Sequence, residues 1–281
     1  LLIAGSGPSG LASAYAAAKN GARVILAEDK PRFGGTLLTS EVNIGNQTGK
    51  EWAENIISEL KEMPNVIVKN RSQVFGYYDH NMLVMSEKLS DHLPKTKKYN
   101  PKQRLWYIRA KEVVISSGSI ERPLVFGNND TPGVMLSSAA KEYLKVYGVL
   151  VGKKPLIFTN NDSGYETAIE FKKNGVDPII LDTRKEPKSE IIDEAKKLDI
   201  EIKFSYVVVA AKGYKKVKSA EVAKISDDKN VLGTLENINC DCICVSGFWT
   251  PTIHLASQSG NKTTFNKDID AFVPGLSKQN E

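Results

Sequence analysis

The sequence predicts an α/β chain of two tandem Rossmann-like domains, the second inserted in the first. Three observations predict it. The apolar run Leu1-Leu2-Ile3-Ala4 leads into Gly5-Ser6-Gly7-Pro8-Ser9-Gly10 and then an alanine-rich stretch, the order of a strand, a tight turn and a helix. A second stretch of the same kind opens at Lys154. Residues 66–115 hold short β-rich runs, as a β meander inside the first domain would.

The elements follow in order. Residues 11–20 have high helix propensity and stop at Gly21, and Arg23-Val24-Ile25-Leu26-Ala27 forms the next strand, so the connection makes a parallel pair. Val66-Ile67-Val68 and residues 72–78, 82–85 and 105–110 are expected as strands of the meander, with a lysine-rich loop at 94–103. Val113-Val114-Ile115 returns to a buried strand and is followed by Ser116-Ser117-Gly118. In the second unit Leu156-Ile157-Phe158 is a strand, 159–164 a turn, 165–174 a helix stopped by Gly175, and 178–181 a strand running into Asp182. The expected domains are 1–124, an inserted 125–247, and a return to the first at 248–281.

Composition narrows the function. A length of 281 residues with 41% hydrophobic and 25% charged residues describes a globular chain able to bury two cores. The net charge of +5 comes from lysines scattered among acids, as in Lys95-Thr96-Lys97-Lys98 and Lys215-Lys216, with no basic face interleaved with aromatics, so no nucleic acid partner is expected. No apolar run nears the roughly 20 residues that cross a bilayer, and no cationic segment precedes Leu1, so no membrane association and a cytoplasmic location are expected. The chain opens inside a strand without an initiator Met, so an upstream portion is expected. Cys240, Cys242 and Cys244 alternate, which would put them on one strand face. A structural zinc site normally wants four ligands and no His lies nearby, so buried small hydrophobes in a reducing cytoplasm are the preferred reading over metal binding.

The chemistry concentrates near the start. Gly5, Gly7 and Gly10 hold the three glycine positions of GxGxxG: the first for a tight turn, the second so that backbone can approach a pyrophosphate, the third for close helix packing. The helix that begins there offers free N–H groups and a positive dipole end. Glu28, at the end of the next strand, suits the hydroxyls of an adenosine ribose and would repel a 2′-phosphate, so FAD or NAD is expected over NADP. Gly34-Gly35-Thr36 allows a second close approach of backbone to the cofactor, and Ser116-Ser117-Gly118 is in place for a further contact.

The second fingerprint is degraded. In Thr159-Asn160-Asn161-Asp162-Ser163-Gly164 only the third glycine remains; Thr159 and Asn161 would crowd a pyrophosphate and Asp162 would repel it. That domain is expected to be a scaffold without a working NADH site. No CxxC lies between the units, which excludes disulfide-reductase dithiol chemistry. His80, His92 and His254 are the only imidazoles and none has a GxSxG or HExxH context; His254 is expected to be a satisfied helix or loop residue. No catalytic residue and no metal ligand is assigned.

The chain resembles the α subunit of heterotetrameric sarcosine oxidase. The resemblance rests on Gly5-Ser6-Gly7-Pro8-Ser9-Gly10-Leu11, Gly34-Gly35-Thr36-Leu37-Leu38, Val74-Phe75-Gly76-Tyr77-Tyr78-Asp79 and Trp106-Tyr107-Ile108-Arg109-Ala110-Lys111. It also rests on Glu121-Arg122-Pro123-Leu124-Val125-Phe126 with Asn128-Asn129-Asp130-Thr131-Pro132-Gly133-Val134-Met135, and on Ser246-Gly247-Phe248-Trp249-Thr250-Pro251 with His254-Leu255. It implies the two-domain architecture of glutathione-reductase-like flavin reductases, with NAD held noncovalently where they hold FAD. It further implies partner β, γ and δ subunits, FMN and FAD on the β subunit, sarcosine as a small-molecule amine substrate, O₂ as electron acceptor, and tetrahydrofolate as one-carbon acceptor through a C-terminal domain absent from this chain.

Carried onto this sequence, the NAD contacts are Ser9 at the pyrophosphate turn, Glu28 with Asp29 and Lys30 around the ribose, Thr36 after the glycine pair, and Val74 beside the adenine. Glu28-Asp29-Lys30 departs from the family's usual Asp-Glu-Arg run, which keeps charge order and changes reach. Residues 121–135 are the expected contact surface for a partner subunit. The competing readings are an FAD-dependent amine or opine oxidase subunit, an NAD(P)H-flavin-reductase-like subunit, and a non-catalytic assembly scaffold.

Overall fold

The computed structural model describes residues 1–94, 101–228, 230–260 and 262–275, and they group into two units: residues 1–119 with those from Pro251 onward, and 120–250. Most of the expected lysine-rich loop, residues 95–100, lies outside the described residues.

In the first unit β1 (Leu2–Ala4) runs into α1 (Pro8–Lys19) and returns as β2 (Val24–Ala27). Pro8 sits in the first turn, where its missing N–H has no partner to lose, and Gly21, at φ +83°, follows the C-terminal end. A small hairpin, β3 (Asn43–Ile44) and β4 (Gln47–Thr48), leads to a helix the sequence reading missed, α2 (Gly49–Glu62). Its start carries a capping box: the Thr48 hydroxyl accepts the Glu51 N–H at 3.2 Å and the Glu51 carboxylate accepts the Thr48 N–H at 2.9 Å.

That helix corrects the position of the next strand. β5 (Val66–Lys69) pairs parallel with β2, Val24 opposite Val66, and belongs to the parallel sheet rather than to the meander. A parallel neighbour needs a crossover, and α2 supplies it. The meander proper is β6 (Ser72–Tyr78), β7 (Met82–Lys88) and β8 (Gln103–Arg109), after which β9 (Val113–Ile115) returns beside β1 to complete the order β5-β2-β1-β9. Alternation along the strands splits the core. Ile3 and Leu26 pack with Leu11, Ala14, Ile57 and Leu60 of the helices, while Leu2 and Ala27 pack with Leu83, Met85 and Ile108 of the meander.

The second unit repeats this build. β10 (Ser119–Glu121) pairs with β19 (Trp249–Pro251), and between them run β11 (Val134–Leu136), α3 (Ser137–Tyr147), β12 (Pro155–Thr159), α4 (Ser163–Lys173), β13 (Ile179–Asp182), α5 (Glu190–Lys197) and β14 (Glu201–Phe204). A second meander, β15 (Tyr206–Lys212), β16 (Ser219–Ile225) and β17 (Val231–Asn239), precedes β18 (Cys242–Ser246). The sheet order is β11-β18-β12-β13-β14, with every neighbour pair parallel. After β19 the chain continues in the first unit through α6 (His254–Gln258) and the antiparallel pair β20 (Thr263–Asn266) and β21 (Ala271–Pro274).

One expectation about this unit needs adjusting. The three cysteines do not share a face: Cys242 and Cys244 pack toward the helices, whereas Cys240 packs on the meander side. Asp241 turns the chain between them, its carboxylate accepting the Lys153 and Lys154 N–H groups at 2.8 Å each. All three thiols are buried, and burial first, then the Cys242 and Asp241 charges, push the Cys240 thiol up to about 12. Residues 121–135 are tied to β15: Gly127 N–H donates to the Val209 carbonyl (2.8 Å), Ala211 N–H to the Gly127 carbonyl (2.9 Å), and Phe126 is buried. Among the described residues no helix is long and apolar enough to cross a membrane, and no group of three or more His, Cys, Asp or Glu is placed to hold a metal ion.

Candidate functional site

The glycine turn of the first unit sits where β1 ends and α1 begins, and its glycines serve different ends. Gly5 has φ +104°, and a Cβ there would lie 2.3 Å from the Ser116 carbonyl oxygen beyond β9. A Cβ on Gly10 would lie 2.0 Å from the Gly5 oxygen, so this glycine lets the first turn of α1 close on the strand. Gly35, at φ +54°, approaches so near that its Cβ would stand 2.9 Å from Gly7 Cα. Gly7 itself has an ordinary φ of −66°, and its Cβ would meet nothing within 4 Å. Three of these glycines are demanded by the protein's own backbone; the fourth faces open space.

That space lies at an uncapped helix end. Gly7 is the N-cap of α1 and supplies no side chain, Pro8 has no N–H, and the first backbone bond outside the helix interior is Leu11 N–H to the Gly7 carbonyl at 2.9 Å. The first-turn N–H groups of Ser9 and Gly10 therefore keep their donor capacity and the dipole's positive end. An anionic pyrophosphate fits such a cradle.

The other expected residues come to the same edge of the sheet by short links. Glu28 directly follows β2; Asp29 and Lys30 come next and are exposed. Ser72 N–H donates to the Glu28 carbonyl at 2.7 Å, which brings in β6 and half-buried Val74. Thr36 is exposed in a 3₁₀ turn, Gly35–Leu38, beside the Gly7 approach. Gly118, at φ +68°, is exposed two residues past Ser116, and its carbonyl accepts the Thr252 N–H at 2.9 Å. His254 is exposed at the start of α6. Ser6, fully buried inside the turn, was not singled out from the sequence, because nothing in GxGxxG marks the first variable position.

The equivalent turn in the second unit is filled from within. The Thr159 hydroxyl donates to the Asn161 carbonyl (2.8 Å) and accepts the Asn161 N–H (3.1 Å), and its side chain occupies the space beside Gly164, whose Cβ would lie 2.7 Å from it. The Asn161 side-chain oxygen, one residue before the N-cap Asp162, accepts the Ser163 N–H at 2.9 Å, and Trp249 donates its indole N–H to the Ser163 hydroxyl at 2.8 Å. Asp182, the acid at the end of β13, is fully buried and taken by Tyr165 (2.7 Å) and by Arg184, which also pairs with Asp162 at 2.8 Å. Burial, then the bond to Asp182, hold the Tyr165 phenol far above its ordinary range.

The chain matches the family described as pyridine nucleotide-disulphide oxidoreductase over residues 1–271. It is 37% identical over 286 residues to the sarcosine oxidase subunit alpha of Rhizobium meliloti (strain 1021), covering 99% of this chain and 27% of that protein. It is 32% identical over 283 residues to the protein of the same name from Corynebacterium sp. (strain U-96), covering 100% of this chain and 29% of the other. The chain thus spans less than a third of the length of these relatives. The crystal structure of T. acidophilum thioredoxin reductase shares the fold, with a TM-score of 0.70, 17% identity, and coverage of 94% of this chain and 81% of that one. With the fold, its two turn sites and a match over nearly the whole length in agreement, the chain belongs to the pyridine nucleotide-disulphide oxidoreductase family.

Proposed function

We propose that this chain is the dinucleotide-holding part of a sarcosine oxidase-like subunit, with NAD seated in the first unit. The observation that carries this is the open space at Gly7 in front of an uncapped helix, in a turn whose other glycines are already consumed by backbone contacts. Gly7 and the N–H groups of Ser9 and Gly10 would hold the pyrophosphate, with Gly5 and Gly35 keeping the backbone close. Glu28, Asp29 and Lys30 would border the ribose, Val74 the adenine, and Thr36 and Gly118 the remaining length. When bound, NAD supplies a nicotinamide able to take or give a hydride. The names of the two relatives, sarcosine oxidase subunit alpha, support an amine-oxidising setting; in the proposed reading sarcosine is oxidatively demethylated to glycine with O₂ as acceptor. In this reading FMN and FAD belong to a partner subunit, tetrahydrofolate is served by another domain, residues 121–135 face a partner, and the complex works in the cytoplasm.

The chain purified apart from any flavin-bearing partner is expected to be colourless and to release NAD on heating. A yellow preparation absorbing near roughly 450 nm, from which FAD is released, would put FAD in the same seat and overturn the NAD reading.

A further inference from the structure

The sheet of β6, β7 and β8 has two edge strands, and they differ. The β6 edge is closed. Its Ser72 N–H is taken by the Glu28 carbonyl at 2.7 Å and its Tyr77 N–H by the Gln258 side chain at 2.9 Å, and the strand bulges between Val74 and Gly76. By contrast, β8 pairs with β7 in unbroken register, from Arg109 opposite Met82 to Gln103 opposite Lys88. Among the described residues β8 has no second neighbour. The outer strand of the other meander, β17, is interrupted: Gly233 lies within it at φ +71°, and its pairing with β16 shifts register between Val222 and Lys224.

The register fixes which backbone groups of β8 are left over. The Ala110 N–H donates to the Asn81 carbonyl at 3.0 Å and the Lys102 carbonyl accepts the Leu89 N–H at 2.8 Å, so the even-numbered residues bond toward β7. Backbone groups alternate sides along an antiparallel strand, which aims the N–H and carbonyl of Gln103, Leu105, Tyr107 and Arg109 at the open edge. A regular edge of this kind is a template for a further strand. The side chains set what that strand must carry. Leu105 is 49% and Tyr107 68% exposed, so the middle of the edge is apolar. Its ends are cationic: Lys102, Arg104, Arg109 and Lys111 are all exposed, and no acid occurs between Lys102 and Lys111. By the alternation of side chains, Lys102 and Arg104 lie on one face and Arg109 and Lys111 on the other. Arg104 also stands 3.5 Å from Glu87. Charges on an edge keep unwanted strands away, but cations at both ends repel basic segments and attract acidic ones.

We propose that β8 takes an extended acidic segment of a partner polypeptide by strand addition, the segment's backbone bonding to the outward groups of Gln103–Arg109 and its acids meeting the cations at either end. The proposal does not depend on the nucleotide seat. The probe is a fluorescein-labelled peptide of about seven residues, valine and threonine alternating in its middle and glutamates at both ends. It is titrated into the unaltered chain by anisotropy, and amide hydrogen exchange is recorded on the complex. The peptide is expected to bind, more weakly as salt is added, and to slow exchange at the Leu105, Tyr107 and Arg109 N–H groups, while those of Trp106 and Ile108, already bonded to β7, stay as they were. Tyr107→Pro removes an outward N–H and no bond to β7, a change an edge strand tolerates on its open side, and is expected to abolish binding. Arg109→Glu leaves every backbone group in place and is expected to weaken binding by about tenfold, so it decides should the proline variant not fold. A peptide with lysines in place of the glutamates is expected not to bind. Failure of the glutamate peptide to bind, equal binding of the lysine peptide, or unchanged binding by a folded Tyr107→Pro overturns the proposal. So does slowed exchange elsewhere than β8, or equal competition by a single-stranded oligonucleotide, which would make the strip a general anion surface.

Discussion

A glycine is needed for folding where its absent Cβ would strike the protein itself, and for function where that Cβ would strike only a ligand. Gly7 and Gly164 separate the two cases. Gly7→Val meets nothing within 4 Å and has a φ any residue adopts, so the variant is expected to melt like the parent and to lose retained nucleotide. Gly164→Val must displace the Thr159 side chain, 2.7 Å away in a buried turn, and is expected to cost about 1–3 kcal/mol of stability while leaving nucleotide in the first unit. Unfolding curves and released nucleotide measured together check both; retention by a folded Gly7→Val would remove the cradle. The glycine spacing and the following acid were legible in the sequence because each is a residue type at a fixed offset. That the Glu28 carboxylate points inward was not, since its direction is set by bonds from the Ser6 N–H and hydroxyl and from the Lys30 N–H, and Lys30 lies outside the motif.

At the level of elements, strong periodicity was legible and weaker signals were passed over. Both strand–turn–helix starts lie where the apolar run and glycines placed them, whereas α2 was missed although Thr48-Gly49-Lys50-Glu51 ahead of Ala53, Ile56, Ile57 and Leu60 spells a capping box and a helical stripe. Missing the crossover then put β5 in the wrong sheet, because a short apolar run says nothing about which neighbour it pairs with. The meander of the first unit is tied to β5 by a partly buried ion cluster. Glu87 of β7 accepts from Lys69 at 3.0 Å and from the Trp106 indole at 2.7 Å, with Arg104 at 3.5 Å. Burial pushes the Glu87 carboxyl up, but the Lys69 and Trp106 bonds and the Lys69 and Arg104 charges outweigh it and hold the group below its ordinary 4.5. A carboxyl depressed in the folded state adds stability above its unfolded value and loses it as pH falls through the folded one. Lys69→Met is therefore expected to lower the melting temperature at neutral pH and to converge on the parent as pH drops below the ordinary carboxylate range. A gap that stays constant with pH would show that Lys69 acts through packing alone.

Across the whole molecule, one build is used twice: a parallel sheet with helices on one face and a three-stranded meander on the other, in each unit. What differs is how the helix after the first strand of each βαβ turn is terminated. In the first unit α1 begins at a glycine with no side-chain cap, so binding an anion there removes no existing contact. In the second, the Ser163 N–H, the Ser163 hydroxyl and Asp162 are already engaged by Asn161, Trp249 and Arg184, and a dinucleotide would have to break those bonds and desolvate Asp162 before gaining any of its own. Seating one ligand there costs several charged or neutral hydrogen bonds, each worth about 1–3 kcal/mol when its buried partner is left unpaired. The nucleotide-free chain is therefore expected to take up one equivalent of NADH in a calorimetric titration. Saturation at two equivalents would mean that the Asn161, Trp249 and Arg184 contacts yield to the ligand, and that the second turn is a latent site rather than a closed one.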